Sequence, residues 1–364
     1  MSLRPRIARR GSPPPTTSSP PSEPSTQPGR KPTVVSHKLK VYLAVALGWA
    51  ALAGGLLSIT GIDLDSIAGA VLIAVLYMPS PMVAALIAER GLRRGRLGLP
   101  RRGVRLVVPY FLLPAGAVVG FVLLFLGAVL LGGNLLGIDA LGRLALTQDQ
   151  IMAGAADLFG QEAVGAAGPP PPAAVLLLAG LWGALVAGWT INGVFAMGEE
   201  YGWRGLMWDE LRVSGPVRAN LLIGVAWGLW HAPLIVQGYN YPGFPALGVL
   251  AMVAFCIGMS FVLTAVRELT GSLIPVAAGH GIFNGIAPIL LILTPDAHPI
   301  LAGPVGLLGA AIFALLGAAA WTAVRRRTAS GKGADDPRLS GPQAVPAAVT
   351  SANRQMYDSR ERES

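Results

Sequence analysis

Eight runs of apolar residues account for most of this chain, near 41–60, 67–88, 106–131, 173–208, 220–236, 246–266 and 273–293, with an eighth ending at the Arg325-Arg326-Arg327 triplet. A run of about 17–25 apolar residues is long enough to cross the hydrocarbon core as a helix. Backbone amides have no water to bond there, so helices or a closed barrel are the only spanning structures. Charged residues make up 13%, hydrophobic residues 53%, and the mean hydropathy is +0.57; a soluble domain carries about 25% charge. The expected fold is all-α, a polytopic membrane helical bundle with about eight transmembrane helices. Disordered tails are expected at 1–36, rich in Pro, Ser and Thr, and at 326–364. Between them we distinguish an N-terminal transmembrane part, 37–172, and a second transmembrane part, 173–325, that holds nearly all the intramembrane polar residues.

The net charge of +9 comes mainly from arginines in loops and tails. Seven of them (Arg90, Arg93, Arg94, Arg96, Arg101, Arg102 and Arg105) lie between the second and third runs. By the positive-inside rule that loop is cytoplasmic, with a secondary attraction to anionic lipids. Eight spans put both termini and every strongly basic segment on that side, so the charge reads as a topology signal and not as a nucleic-acid surface. The expected location is a cell membrane. Arg in excess of Lys, with abundant Ala, Gly and Pro, suggests GC-rich coding DNA and a bacterial source. Cys256 is alone in the chain, which excludes an intrachain disulfide.

The fourth run ends on Gly198-Glu199-Glu200-Tyr201-Gly202-Trp203-Arg204-Gly205. A charged residue at the centre of a membrane helix costs about 2.5–3.5 kcal/mol on insertion scales, so three together need partners. His231 in the fifth span and His280 with Asn284 in the seventh supply them. His280 and Asn284 are four apart and share a helix face. At about 1.5 Å per residue, His280, Glu199 and His231 lie about 10, 13 and 16 Å from the inner ends of their helices. That common depth suits one cavity open to the cytoplasm. Gly198/Gly202, Gly224/Gly228 and Gly281/Gly285 are G-x-x-x-G pairs that permit close helix approach. The fourth run is longer than a bilayer, so either it tilts and protrudes or Gly183, Gly188 or Gly193 marks a break.

Glu199 and Glu200 point about 100° apart on a helix and should differ in role. Glu200 and Arg204, four apart, form a supporting pair. Glu199 then faces the cavity, where a dry setting raises its pKa and suits a general base. His231 can share a water with it, while His280 and Asn284 can donate to a developing oxyanion. These are the parts needed for amide hydrolysis. Trp182, Trp189, Trp203, Trp208, Trp227, Trp230 and Tyr239 read as packing groups or interfacial anchors.

Glu199-Glu200-x-x-x-Arg204, an aromatic-x-x-x-His ending at His231, and His280-x-x-x-Asn284 resemble, in this order and spacing, the three signatures of the CAAX-protease and bacteriocin-processing family (CPBP, or Abi) of intramembrane proteases. The resemblance covers about 175–293. It implies a membrane endopeptidase acting on a membrane-associated peptide or protein. It also implies Glu199, His231, His280 and Asn284 as catalytic residues, with Glu200 and Arg204 supporting. Trp227 stands where the family commonly has Phe, which predicts altered packing.

Two questions stay open at this stage. Glu199, His231 and His280 could supply three ligands to a catalytic Zn2+ and leave a position for water, but no H-E-x-x-H presents two histidines from one helix. No organic cofactor is expected. The other functional readings are a proton- or ion-coupled transporter using the Glu/His cluster and a non-catalytic scaffold of the same fold. Matching broken helices in two repeats would mark a transporter, and spans one to three have no counterparts to the polar ones.

Overall fold

The computed structural model describes residues 36–64, 66–98 and 104–330. Among these the structure is all-helical: α1 His37–Thr60, α2 Ile67–Leu72, α3 Ser80–Glu89, α4 Val104–Val129, α5 Gln148–Phe159, α6 Gln161–Ala167, α7 Ala173–Trp189, α8 Ile191–Glu200, α9 Trp208–Leu211, α10 Pro216–Trp230, α11 Ala232–Ile235, α12 Pro245–Thr270, α13 Ile274–Leu293 and α14 Leu307–Ala329. The tails expected to be disordered lie outside the described residues except at their inner edges. Ser36 accepts from the Leu39 amide and caps α1. Residues 326–329 continue α14 instead of leaving it, because Arg326 and Arg327 sit in its last turn, where cations complement the helix dipole.

Six helical segments are long and apolar enough to span a membrane, with mean hydropathy of 1.8–2.5, and the bent α7–α8 pair adds a seventh. The fifth predicted span, 220–236, is instead divided into α10 and α11, each too short to qualify alone. Proline at 233 lacks the amide that a continuous helix would need. The segment still returns across the bundle. Gly224 faces Ile257 and Gly228 faces Val253, so α10 runs antiparallel to α12.

The long fourth run is broken. α7 and α8 meet at Thr190 with a bend of 56°, between two of the three glycines that marked candidate breaks. Thr190 leaves helical geometry, with ψ −109°, and its hydroxyl bonds back to the Val186 carbonyl at 2.7 Å. Gly193 packs on the Gly188 backbone inside the bend. A π-helical stretch, Tyr201–Met207, then leads into α9. The second span also contains a π-helical turn, Ile73–Tyr77, just before the Pro79 and Pro81 pair. Insertions of this type often sit at functional sites.

The three G-x-x-x-G pairs dock three different interfaces. A Cβ at Gly224 would lie 2.4 Å from the Ile257 Cα, and one at Gly228 2.5 Å from the Val253 Cα. Gly202 abuts Pro81 and the Tyr42 hydroxyl, Gly198 abuts Met78 and Pro79, and Gly281 and Gly285 abut α7 and α8. Close backbone approach of this kind replaces the hydrophobic drive that lipid does not supply between helices.

The loop between α3 and α4 does more than signal topology. Arg96 bonds Glu89 Oε1 at 2.8 Å and Asp209 Oδ2 at 2.8 Å, and Arg267 holds Asp209 Oδ1 at 2.7 Å. Burial works against the charge of Arg96, but its hydrogen bonds to Glu89 and the nearby Asp209 carboxylate raise its pKa. Lys38 to Glu210 at 2.7 Å ties α1 to the same end. The basic end of the bundle is thus laced with ion pairs. We expect Gly224→Val, which must displace the α12 backbone, to lower stability by about 1–3 kcal/mol, read as a lower thermal midpoint in detergent; an unchanged midpoint would show that the α10–α12 contact is not close.

Candidate functional site

Glu199 and Glu200 close α8, and the π-helical stretch carries Arg204 directly below them. Glu200 is fully buried, and so is Arg204. Arg204 Nη1 donates to Glu200 Oε1 at 2.9 Å, as the four-residue spacing predicts, and Nη2 donates to Ser260 Oγ on α12 at 3.0 Å. His280 Nδ1 lies 2.8 Å from the same Glu200 oxygen. A carboxylate accepts here, so Nδ1–H is the donor, and Nε2 is left for other work. One carboxylate of α8 therefore binds side chains from two other elements, the π-helical stretch and α13.

Glu199 is 3% exposed. Its Oε2 accepts from the Trp227 indole Nε1–H at 2.7 Å. The Trp227 ring also lies under the Arg204 guanidinium, 4.2 Å from ring centroid to the guanidinium carbon, a cation–π geometry. His280 and His231 both touch that indole, with ring centroids at 5.3 and 5.9 Å. Trp227 is the hub between the two carboxylates and both histidines. The packing role read from the sequence is therefore corrected to a bonding one. A tryptophan in an apolar segment gives no sequence signal for this; the one hint was its place four residues before His231, where Phe has no N–H to offer.

His231 sits at the joint between α10 and α11. Its backbone amide bonds to the Gly228 carbonyl at 3.1 Å, three residues back, so the Trp227 carbonyl loses its usual helical partner. The His231 ring fills that vacancy, with Nδ1 2.9 Å from the Trp227 oxygen. A carbonyl can only accept, so Nδ1 carries the proton and Nε2 presents a lone pair. The broken helix is thus what fixes the ring.

Glu199, His231, His280 and Asn284 all line one cavity of about 230 Å³, with Trp227, Trp230 and Tyr239 among its other walls. Asn284 is exposed on the α13 face that carries His280. The structure therefore brings the four predicted residues together and keeps Glu200 and Arg204 beneath them. The upper walls are Leu234, Asn240, Pro288, Leu291 and Val305, from the end of the bundle opposite the Arg96–Asp209–Arg267 cluster. Depth arithmetic located the floor but could not say which helices part above it.

Glu199, His231 and His280 were also the candidate zinc ligands. Among the described residues, no three His, Cys, Asp or Glu side chains converge closely enough to hold a metal ion. The donor set in this geometry does not fit a three-ligand site.

Residues 170–286, which contain every residue of this site, match the family described as "Type II CAAX prenyl endopeptidase Rce1-like". A stretch of 44 residues is 43% identical to the CAAX prenyl protease 2 of Methanococcus maripaludis, covering 12% of this chain and 16% of that protein. The chain thus aligns with less than a fifth of that relative's length.

Removing one partner of a buried ion pair strands the other charge. Arg204→Met should lower stability by about 3–5 kcal/mol, and adding Glu200→Gln should recover part of that loss. Thermal unfolding of the two variants in detergent tests the pair, and equal losses in both would show that Glu200 and Arg204 are not coupled.

Proposed function

We propose, from the match of residues 170–286 to the Rce1-like type II CAAX prenyl endopeptidases, that this protein is an intramembrane endopeptidase that hydrolyses a peptide bond of a membrane-associated protein or peptide with water activated by Glu199. The observation that carries this reading is the shared cavity: a nearly buried carboxylate, two ring-fixed histidines and an amide side chain line the same 230 Å³.

The steps follow from the hydrogen bonds. Trp227 holds Oε2 of Glu199 and leaves Oε1 to take a proton from a water in the cavity. His231 Nε2 accepts the second hydrogen of that water and aims its oxygen at the substrate carbonyl carbon. As the C–O bond forms, negative charge moves to the carbonyl oxygen. Asn284 Nδ2–H donates to that oxyanion, and so does His280 Nε2–H when the ring carries both protons. The Glu200 carboxylate on Nδ1 is the counter-charge for that form. The C–N bond then breaks, and Glu199 returns its proton to the leaving amine. Preorganised donors in a water-poor site are worth several kcal/mol to such a transition state.

A transport reading would need the Glu/His cluster to reach both faces. The Glu200–Arg204–Ser260 layer, fully buried and bonded together beneath the cavity, lies against that.

The test is cleavage of a quenched peptide library by the purified full chain in detergent or nanodiscs. Glu199→Ala should reduce cleavage by about 10²–10⁴-fold, the range for a general base, with the unfolding midpoint retained. His280→Ala should also abolish it. Trp227→Phe keeps the ring and loses only the donor to Glu199; a hydrogen bond to a charged group is worth about 1.5–3 kcal/mol, so we expect about 10–100-fold slower turnover. Chelation by 1,10-phenanthroline should leave cleavage intact. Wild-type rates in both Glu199→Ala and His280→Ala would overturn the proposal.

A further inference from the structure

The break between α10 and α11 frees a second carbonyl besides that of Trp227. Pro233 has no amide to offer. The Leu234 amide, which in a continuous helix would bond to the Trp230 carbonyl, bonds to the His231 carbonyl instead at 3.0 Å. The Trp230 carbonyl is taken by a side chain from the second span: the Tyr77 hydroxyl donates to it. A further bond holds the same residue, because the Trp230 indole Nε1–H donates to Ser80 Oγ at 2.9 Å. Tyr77, Ser80 and Trp230 are all fully buried, where an unpaired polar group would be costly. Trp230 in turn abuts the histidine. Its ring meets the His231 imidazole edge to face with centroids 4.8 Å apart, and the Tyr77 ring packs on Trp230 at 4.5 Å.

The segment that supplies these bonds, Tyr77-Met78-Pro79-Ser80-Pro81, also seats the helix of Glu199. A Cβ at Gly198 would lie 3.0 Å from the Met78 oxygen, and one at Gly202 2.7 Å from Pro81. The shape of the segment is set locally. The Met78 amide closes the π-helical turn on the Ile73 carbonyl at 3.0 Å, Pro79 has no amide with which to continue that pattern, and Ser80 begins α3. Tyr77 and Ser80 are three apart, a spacing that puts them on one face, and both reach Trp230. One short piece of the second span therefore touches the residue before Glu199 and the residue before His231. It lies outside residues 170–286, the part of the chain that matches the endopeptidase family.

We infer that Tyr77 and Ser80 are positioning residues of the site: acting through Trp230, they hold the His231 ring at the spacing from Glu199 that one shared water requires. That this water attacks a peptide bond rests on the endopeptidase reading above; the hold on His231 is a property of the fold alone. Neither side chain meets the reacting atoms, since the Tyr77 hydroxyl is spent on the Trp230 carbonyl and the Ser80 hydroxyl on the indole. Without them the joint that carries His231 keeps its own backbone bonds but loses its tie to the segment on which Glu199 is seated. A misplacement of about 1 Å in a catalytic group can cost about 10²-fold in rate.

Two measurements on the purified full chain in nanodiscs test this. Tyr77→Phe keeps the ring and removes the donor, and Ser80→Ala removes the indole's acceptor. Tyr241→Phe is the control: its hydroxyl donates to the Val305 carbonyl at 2.6 Å from an equally buried ring, with no bond to α10 or α11. In peptide cleavage we expect Tyr77→Phe and Ser80→Ala to lower kcat by about 10–100-fold with KM within about twofold. Their unfolding midpoints should fall no further than that of Tyr241→Phe, which should keep its kcat. The second measurement is the 15N spectrum of labelled histidine, with the His231 signals assigned by their loss in His231→Gln. The wild type and Tyr241→Phe should show His231 with its proton on Nδ1 alone, as its bond to the Trp227 carbonyl requires, and the two test variants a mixture of both tautomers. A single, unchanged His231 tautomer in Tyr77→Phe and Ser80→Ala would overturn the inference, as would a kcat loss of the same size in Tyr241→Phe. If the wild type cuts no peptide, the endopeptidase reading falls, and the histidine spectrum still decides whether Tyr77 and Ser80 hold His231.

Discussion

The fully buried carboxylate of Glu200 is the contact on which the site depends. It accepts from Arg204 and His280 on one oxygen, and Arg204 reaches on to Ser260 of α12. Four groups from three parts of the chain are thereby locked at one level of the bundle. In hydrocarbon an ionised group without partners is expensive, so each member keeps the others in place. Remove the network and the His280 ring loses the bond that sets its angle, although Gly281 and Gly285 still seat α13 against α7 and α8. The layer lies beneath the Glu199, Trp227 and His280 walls of the cavity, on the side of the basic end.

Helix defects put the reactive groups within reach of one another. The 56° bend at Thr190 redirects the fourth run so that α8 crosses both α3 and α13. The π-helical stretch after Glu200 keeps the Glu200–Arg204 pair while shifting the face that follows. The break after Trp230 frees the Trp227 carbonyl for His231. In water such interruptions would be covered by solvent. Inside a bundle they persist only because side chains such as the Thr190 hydroxyl and the His231 ring satisfy the freed backbone.

Much of this was legible in the sequence because it follows from period and spacing. Glu200 with Arg204 and His280 with Asn284 are four apart, which settles a shared face whatever the tertiary fold. The glycine pairs announced close contacts, and all three pairs make them. What escaped were contacts between segments whose residue types are ambiguous. Trp227 reads as packing in any apolar run, yet its indole N–H holds Glu199. Arg96 reads as one topogenic arginine among seven, yet it is half-buried and paired with Glu89 and Asp209. Thr190 gives no breaker signal of its own; the glycines on either side did, without saying which would yield.

The direction of the cavity belongs to the same class of property. Depth along each helix can be counted from sequence, and the count placed Glu199, His231 and His280 at a common level. Where the helices part above that level depends on which of them end early and which stay packed. α10 ends at Trp230 and turns through α11, while α12 and α13 continue beside it for their full length. Their outer halves therefore lose a neighbour where Leu234, Leu291 and Val305 wall the cavity. On the inner side the same helices stay knit by Gly224 against Ile257 and by Arg204 against Ser260. The cavity therefore has its uncharged walls, Leu234, Pro288, Leu291 and Val305, on the side away from the buried ion pair.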